Sequence, residues 1–180
     1  MKLLRTIQLD PSDTFVFDRA AEPGEWAISG SFVFLNDDAT ALTGKARSAF
    51  RAGFLGVQTL GWSTLCQIVE ASDDDHAAAT EILARQFAEK FGAPTIEDAT
   101  LAAREEFAFA NSLCTHPADT LIAVHRTQED GQIREAFRSL RPKDGPKPLR
   151  AFAFLEAEGD EEPDERIDLT ALGRAESEKR

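Results

Sequence analysis

A chain of 180 residues suits one domain, because folding at that length removes roughly 70% of the extended surface from water. Thirteen Phe and no Tyr make the aromatic content core filler rather than a phenolic binding surface. With 32 acids against 20 bases and a formal net charge of −12, the balance argues against nucleic acid as a partner, since that needs a basic face to displace counterions. It argues equally against an anionic membrane.

The first alternation, Leu3, Arg5, Ile7 and Leu9, predicts a strand closed by Asp10-Pro11. Phe15-Val16-Phe17 reads as a second short strand, and Glu22-Pro23-Gly24-Glu25 as a turn. Trp26, Ile28, Gly30, Phe32 and Phe34 then fall on one side of a nine-residue period-two run, which predicts a third strand. A meander of these three is the economical topology.

Asn36-Asp37-Asp38 can cap a helix from Ala39 to Gly53 with Leu42, Ala46, Ala49 and Phe50 inside. Leu65 to Val69 is a nearly continuous apolar run, as expected of a central strand covered on both faces. Ser72 with Asp75 forms a capping box, followed by an apolar stripe of Ala79, Ile82, Leu83, Phe87 and Phe91. Gly92 fits a left-handed helix end, and Pro94 stops continuation.

Thr95 to Asp98 repeats the capping signature before a helix to about Leu113, with Ile96, Ala103, Phe107 and Ala110 on its stripe. The two helices read as an antiparallel pair laid on one face of a sheet. Leu121 to His125 is another strand. Asp130-Gly131 favours a hairpin with 133–140 as its partner strand, although Ile133, Ala136, Phe137 and Leu140 also fit a helical template. Residues 141–148, with three prolines and a glycine, predict a loop, and 149–156 a last strand. Residues 1–158 are thus expected to form one domain, and 159–180 an acidic, flexible tail.

Charge is segregated. Residues 132–155 carry six bases and two acids, whereas 156–180 carry ten acids and four bases. Either the tail solvates the protein, or it folds back over the basic segment, or that segment meets an acidic partner. Arg134, Arg138 and Arg141 are the candidate interaction residues.

For chemistry, Thr43-Gly44-Lys45 lacks the earlier glycine and the following hydroxyl of a phosphate loop. Lys45, Arg47 and Arg51 with His125 remain a candidate anion site, His125 being expected half-buried on its strand. Cys114 and His116 lack the further paired ligands that zinc needs, so no metal and no cofactor is expected. His76 sits in a capped first turn. Glu105-Glu106 has no accompanying Glu-x-x-His, and Ser63 lacks the setting of a nucleophile elbow. Cys66 and Cys114 read as free buried thiols of a reducing compartment. The start has no signal peptide and no stretch can span a bilayer, so a cytoplasmic location is expected.

The run Leu42 to Gly56, with Glu22-Pro23-Gly24-Glu25-Trp26 before it and Gly61-Trp62-Ser63-Thr64 after, resembles a family of small, acidic, uncharacterised alphaproteobacterial proteins. The resemblance spans most of the chain and ends before the acidic tail. It implies a stand-alone bacterial cytoplasmic domain and transfers no catalytic residue.

The sequence thus predicts an α+β domain with a mainly antiparallel sheet and helices packed chiefly on one face. Its function is expected to be that of a non-enzymatic accessory or protein-interaction domain. The rival is an anionic-ligand binder or enzyme using Lys45, Arg47, Arg51 and His125. A homodimer through an exposed sheet edge is a third possibility.

Overall fold

Strand β1 (Lys2–Thr6) is followed by a 3₁₀ turn at Pro11–Phe15, where a second strand was expected. The reason is local capping. Asp10 accepts from the Ser12 amide at 2.8 Å, and Asp13 accepts from the amides of Leu9 and Asp10. Pro11 occupies the first helical position, which has no use for an N–H. Phe15 is consequently exposed, while Phe17 is buried beside Phe34, Ala49 and Phe50. The computed structural model describes residues 1–142 and 155–157.

The expected nine-residue strand is cut to β2 (Trp26–Ile28). Gly30 takes φ +75°, and a Cβ there would lie 2.5 Å from the Leu55 Cβ. The chain turns at this point into a 3₁₀ segment, Ser31–Phe34. Phe32 therefore meets Phe87 and Phe91 edge-on, with centroids 5.1 and 5.2 Å away. Helix α1 (Gly44–Ala52) is also shorter than expected. Asp38 caps a separate turn through Thr40, and Thr43 begins the helix, so Ala49 and Phe50 are buried but Ala46 is exposed.

Strands β3 (Phe54–Gly56), β4 (Trp62–Ser63) and β5 (Leu65–Glu70) follow. Buried Glu25 clamps the loop between β3 and β4. It accepts from the Gln58 amide at 3.0 Å, the Thr59 amide at 2.9 Å and the Thr59 hydroxyl at 2.6 Å.

Helix α2 (Asp73–Lys90) has the predicted Ser72–Asp75 capping box, and Gly92 has φ +71°. Helix α3 (Ile96–Leu113) starts with the Thr95 hydroxyl accepting from the Asp98 amide at 3.0 Å. Ala79, Leu83 and Phe87 join Ala99, Ala103, Phe107 and Ala110 in the main core. The stripe ends Phe91 and Ile96 are exposed, unlike their predicted neighbours. Strands β6 (Leu121–Glu129) and β7 (Gln132–Pro142) form a nine-pair hairpin across Asp130-Gly131. Both turn residues have positive φ, as the tight primed turns require. The ambiguity over 133–140 is resolved as strand, and β7 runs through Arg141 and Pro142, where a loop was expected. Residues Leu155–Ala157 form β8. The remainder of the expected 141–148 loop and last strand, and the tail, lie outside the described residues.

The eight strands run in the order β4-β3-β2-β1-β5-β6-β7-β8, each antiparallel to its neighbours. Only Thr64 separates β4 from β5 in the chain. Flat, those strands would stand four spacings apart, about 19 Å, whereas two residues reach roughly 7 Å. This half of the sheet must therefore curl until β4 comes back beside β5. Ser63 Oγ ties the seam by donating to the Leu65 and Ile7 carbonyls at 2.7 and 3.1 Å. The curl buries both sides of β1. Adjacent Leu3 and Leu4 point to opposite faces, and both are fully buried. In β5, by contrast, only Cys66 and Ile68 are buried and Leu65, Gln67 and Val69 are half-buried. The strand sandwiched on both faces is thus β1, not β5. Among the described residues no helix is long and apolar enough to cross a membrane.

Candidate functional site

The β6–β7 hairpin carries His125, Arg126, Arg134, Glu135 and Arg138, and its two faces use them differently. Directly paired residues of antiparallel strands share a face. Val124 with Phe137 and Arg126 with Glu135 therefore point one way, and His125 with Ala136, Thr127 with Arg134 and Ala123 with Arg138 the other.

The inner face lies under helices. Phe137 packs edge-on against Phe109 of α3, centroids 5.8 Å apart. Beside it Arg126 is 1% exposed. Its Nη1 donates to the carbonyls of Gly53, Phe50 and Ala49 at 2.7, 3.1 and 3.5 Å. They lie at the C-terminal end of α1, where the Ala49 carbonyl also accepts from the Gly53 amide at 3.0 Å and a cation meets the negative end of the helix dipole. Nε donates to Glu135 at 2.6 Å, and Nη2 to the carbonyl and hydroxyl of Ser29. The Ser29 hydroxyl donates in turn to Glu135.

Half-buried Glu106, on α3, feels both charges. Its burial, with Glu135 adding repulsion against the pull of Arg126, pushes its carboxyl up to about 7. Burial likewise draws the Arg126 guanidinium below its usual range, while Glu135 and Glu106 oppose that. All three guanidinium nitrogens are engaged, and no buried side-chain polar atom lacks a partner among the described residues. The cluster therefore holds α1, β2 and the hairpin together and has no donor left for a ligand.

The outer face is open. His125, Thr127, Arg134, Ala136 and Arg138 are all exposed. His125 is thus not half-buried as expected, because the helices cover the opposite side of β6. Arg134 Nε pairs with Glu129 at 2.8 Å in a solvent-exposed bridge. Arg138 has no acidic partner among the described residues. Arg141 lies near the end of β7 in register with Glu156 of β8.

Lys45, Arg47 and Arg51 are exposed on α1. Arg47 and Arg51, one turn apart, line a shallow surface depression with Gly44 and Ser48. Lys45 is not part of its lining. His125 does not join this group, since it faces away from Arg126 and hence from the end of α1 that Arg126 caps.

The remaining sequence candidates have structural partners. The ring of His76 stands edge-on to Phe107 at 5.8 Å. It lines an open groove of about 430 Å³ between α2 and α3, with Thr80, Arg85, Thr100 and Arg104. There the two threonine hydroxyls donate to carbonyls of their own helices, and Arg85 pairs with Glu81 at 3.1 Å. Cys66 and Cys114 are free and buried. Burial pushes the Cys66 thiol up, and that of Cys114 to about 11.

Residues 1–157, ending on the last residue of β8, match the model of a family of unknown function (DUF6505). The chain belongs to the DUF6505 family. No curated protein and no solved structure matches it. The resemblance to an uncharacterised family is thereby borne out, and the DUF6505 stretch includes both faces of the hairpin but not residues 158–180.

The sequence singles out His125-Arg126 at a strand end, but the expected role falls on His125 alone. The signal for Arg126 was present: alternation from Ile122 and Val124 places it on the buried face. For Glu106 and Glu135 no local signal existed, because their neighbours come from α3 and β6.

Proposed function

We propose that this DUF6505 protein is a non-enzymatic accessory domain that binds an acidic protein partner on the outer face of the β6–β7 hairpin. The observation that carries this reading is the row formed by His125, Arg134 and Arg138. It is an exposed patch with two arginines on a nine-pair antiparallel hairpin, in a chain whose net charge is −12. A flat surface of this kind suits contact with a protein, where complementary charge steers encounter and fixes register. The inner-face carboxylates and guanidinium, which could have served a reaction, are engaged with one another and with backbone carbonyls.

Affinity capture at low salt with the full chain tests the reading. A stoichiometric partner should be retained by wild type and by Arg47→Glu with Arg51→Glu, and lost with Arg134→Glu plus Arg138→Glu. Retention by the hairpin variant would remove the basis of the proposal.

A second reading has support from one place only. The α1 depression sets Arg47, Arg51 and Ser48 around a space suited to a small anion. In a thermal-shift titration with inorganic phosphate at millimolar concentration, this reading expects stabilisation by one to a few kcal/mol. Arg47→Ala or Arg51→Ala should abolish it. An unmoved Tm in wild type disposes of the anion site.

A further inference from the structure

Asp130-Gly131 is a two-residue turn, so its closing pair Glu129–Gln132 exchanges backbone hydrogen bonds and the pairs alternate from there along the hairpin. The amides and carbonyls of Ile133, Glu135 and Phe137 therefore point away from β6. Among the described residues β8 pairs with β7 only from Leu140 to Pro142, and no strand stands beside 133–137 on that side.

We infer that this edge of β7 takes up an extended segment of the partner as an added strand, one in which acidic residues alternate with apolar ones. The inference deepens the proposed function and rests on it for the acidic character of the partner. Side chains of an added strand alternate between the two faces of the sheet. On the outer face they come level with exposed Arg134, Ala136 and Arg138, so acids at every second position meet the arginines directly or diagonally. Arg138 has no acidic partner among the described residues, and Arg134 can exchange its solvent-exposed bridge to Glu129. On the inner face they come level with half-buried Ile133 and Phe137. Phe137 leans on Phe109 of α3, which is still 39% exposed, so apolar side chains suit this side. Main-chain bonds to Ile133, Glu135 and Phe137 supply affinity, and the alternating side chains supply specificity. A second copy of this chain suits the edge less. Paired antiparallel about Ala136 it would set Arg134 against Arg138, and paired about Glu135 it would set two carboxylates together. Like charges directly opposite destabilise a strand pair.

Two measurements on the full chain at low salt test the added strand, with a synthetic peptide containing Glu-Val-Glu-Val-Glu as the probe. In hydrogen exchange of the chain alone, the amides of Ile133, Glu135 and Phe137 should exchange fast, and those of Arg134 and Ala136, bonded to β6, should be protected. The peptide should slow the first three. Slow exchange of those three without peptide would overturn the inference, because the edge would already be occupied. Slowing that appears only as protein concentration rises would overturn it too, by showing pairing between copies.

The second measurement is peptide affinity after N-methylation of either the valines or the glutamates, which removes one alternate set of amides and leaves the other. One set faces β7 and the other faces solvent. One methylated peptide should lose about tenfold or more in affinity, the effect of two or three backbone hydrogen bonds, and the other should bind like the parent. Equal binding of both, or no binding of the parent peptide, would overturn the inference. Binding that ignores methylation yet is lost with Arg134→Glu plus Arg138→Glu would remove the added strand and leave the acidic-partner reading standing.

Discussion

Arg126→Met lowers the stability of this protein by about 3–5 kcal/mol, the range for removing one partner of a buried ion pair. Three consequences add up. The carbonyls of Phe50 and Gly53 lose the Arg126 donor at the end of α1, and that of Ala49, which keeps the Gly53 amide, loses a second, longer bond. Glu135, whose side chain is 14% exposed, loses its cation. The Ser29 carbonyl, which fixes where β2 ends, loses its bond to Nη2. For a domain of this size the change corresponds to a fall in Tm on the order of 10 °C. Arg126→Lys should recover little, because an ammonium cannot present the fork that reaches Ser29, Glu135 and α1 together. Adding Glu135→Gln to Arg126→Met should restore part of the loss by removing the uncompensated carboxylate. Urea titrations of the single and double variants would measure both effects. A loss below about 1 kcal/mol for Arg126→Met would show that water replaces the guanidinium and that the cluster is not a keystone.

Glu106→Gln is expected to stabilise, and only above acid pH. The Glu106 carboxyl is raised from 4.5 to about 7, first by burial and then by Glu135. Below pH 4.5 it is protonated whether the chain is folded or not, so it contributes no difference. Between pH 4.5 and 7 the unfolded chain ionises it while the folded protein keeps it neutral, and stability falls as pH rises. Above 7 the folded form must carry the charge too, and the full penalty is present. A displacement of this size is worth about 3 kcal/mol, somewhat less once partial exposure is allowed for. Wild type and variant should therefore match near pH 4 and diverge by about 2–3 kcal/mol at pH 8. Equal stabilities at both pH values would show that Glu106 is solvated in the folded protein. Arg126 matters here as well, because it is the cation that lowers the Glu106 carboxyl. The two sites are expected to be non-additive in a double-mutant cycle.

Periodicity places Arg126 on the buried face but is silent on its partners Glu106 and Glu135, and elsewhere it misleads. Phe15 to Phe17 carries a strand pattern, yet the capping bonds of Asp10 and Asp13 make the stretch before it a 3₁₀ turn. The alternation from Trp26 to Phe34 is real, but Gly30 must turn where Leu55 and Trp62 approach. Period two describes what a strand would bury, and it does not show where a neighbouring strand will force the chain aside. The basic residues of α1 and His125 do not share a surface, and spacing along the chain could not have revealed that.

What the sequence determined by itself is local. Ser72 with Asp75 and Thr95 with Asp98 set the starts of α2 and α3, and their alanine- and phenylalanine-rich stripes gave a helical pair packed against a sheet. Asp130-Gly131 set the β6–β7 hairpin and hence the exposure of Arg134 and Arg138 together. These signals act over three or four residues, or across one tight turn, so they survive without knowledge of the rest. Tertiary structure alone decided that β4 returns beside β5, that β1 is buried on both sides, and that Arg126 meets Glu135, Ser29 and the end of α1. Each of those contacts joins groups at least nine and up to 97 positions apart, or depends on the curvature of the sheet. Both are consequences of how all the strands pair at once, which no single window of sequence contains.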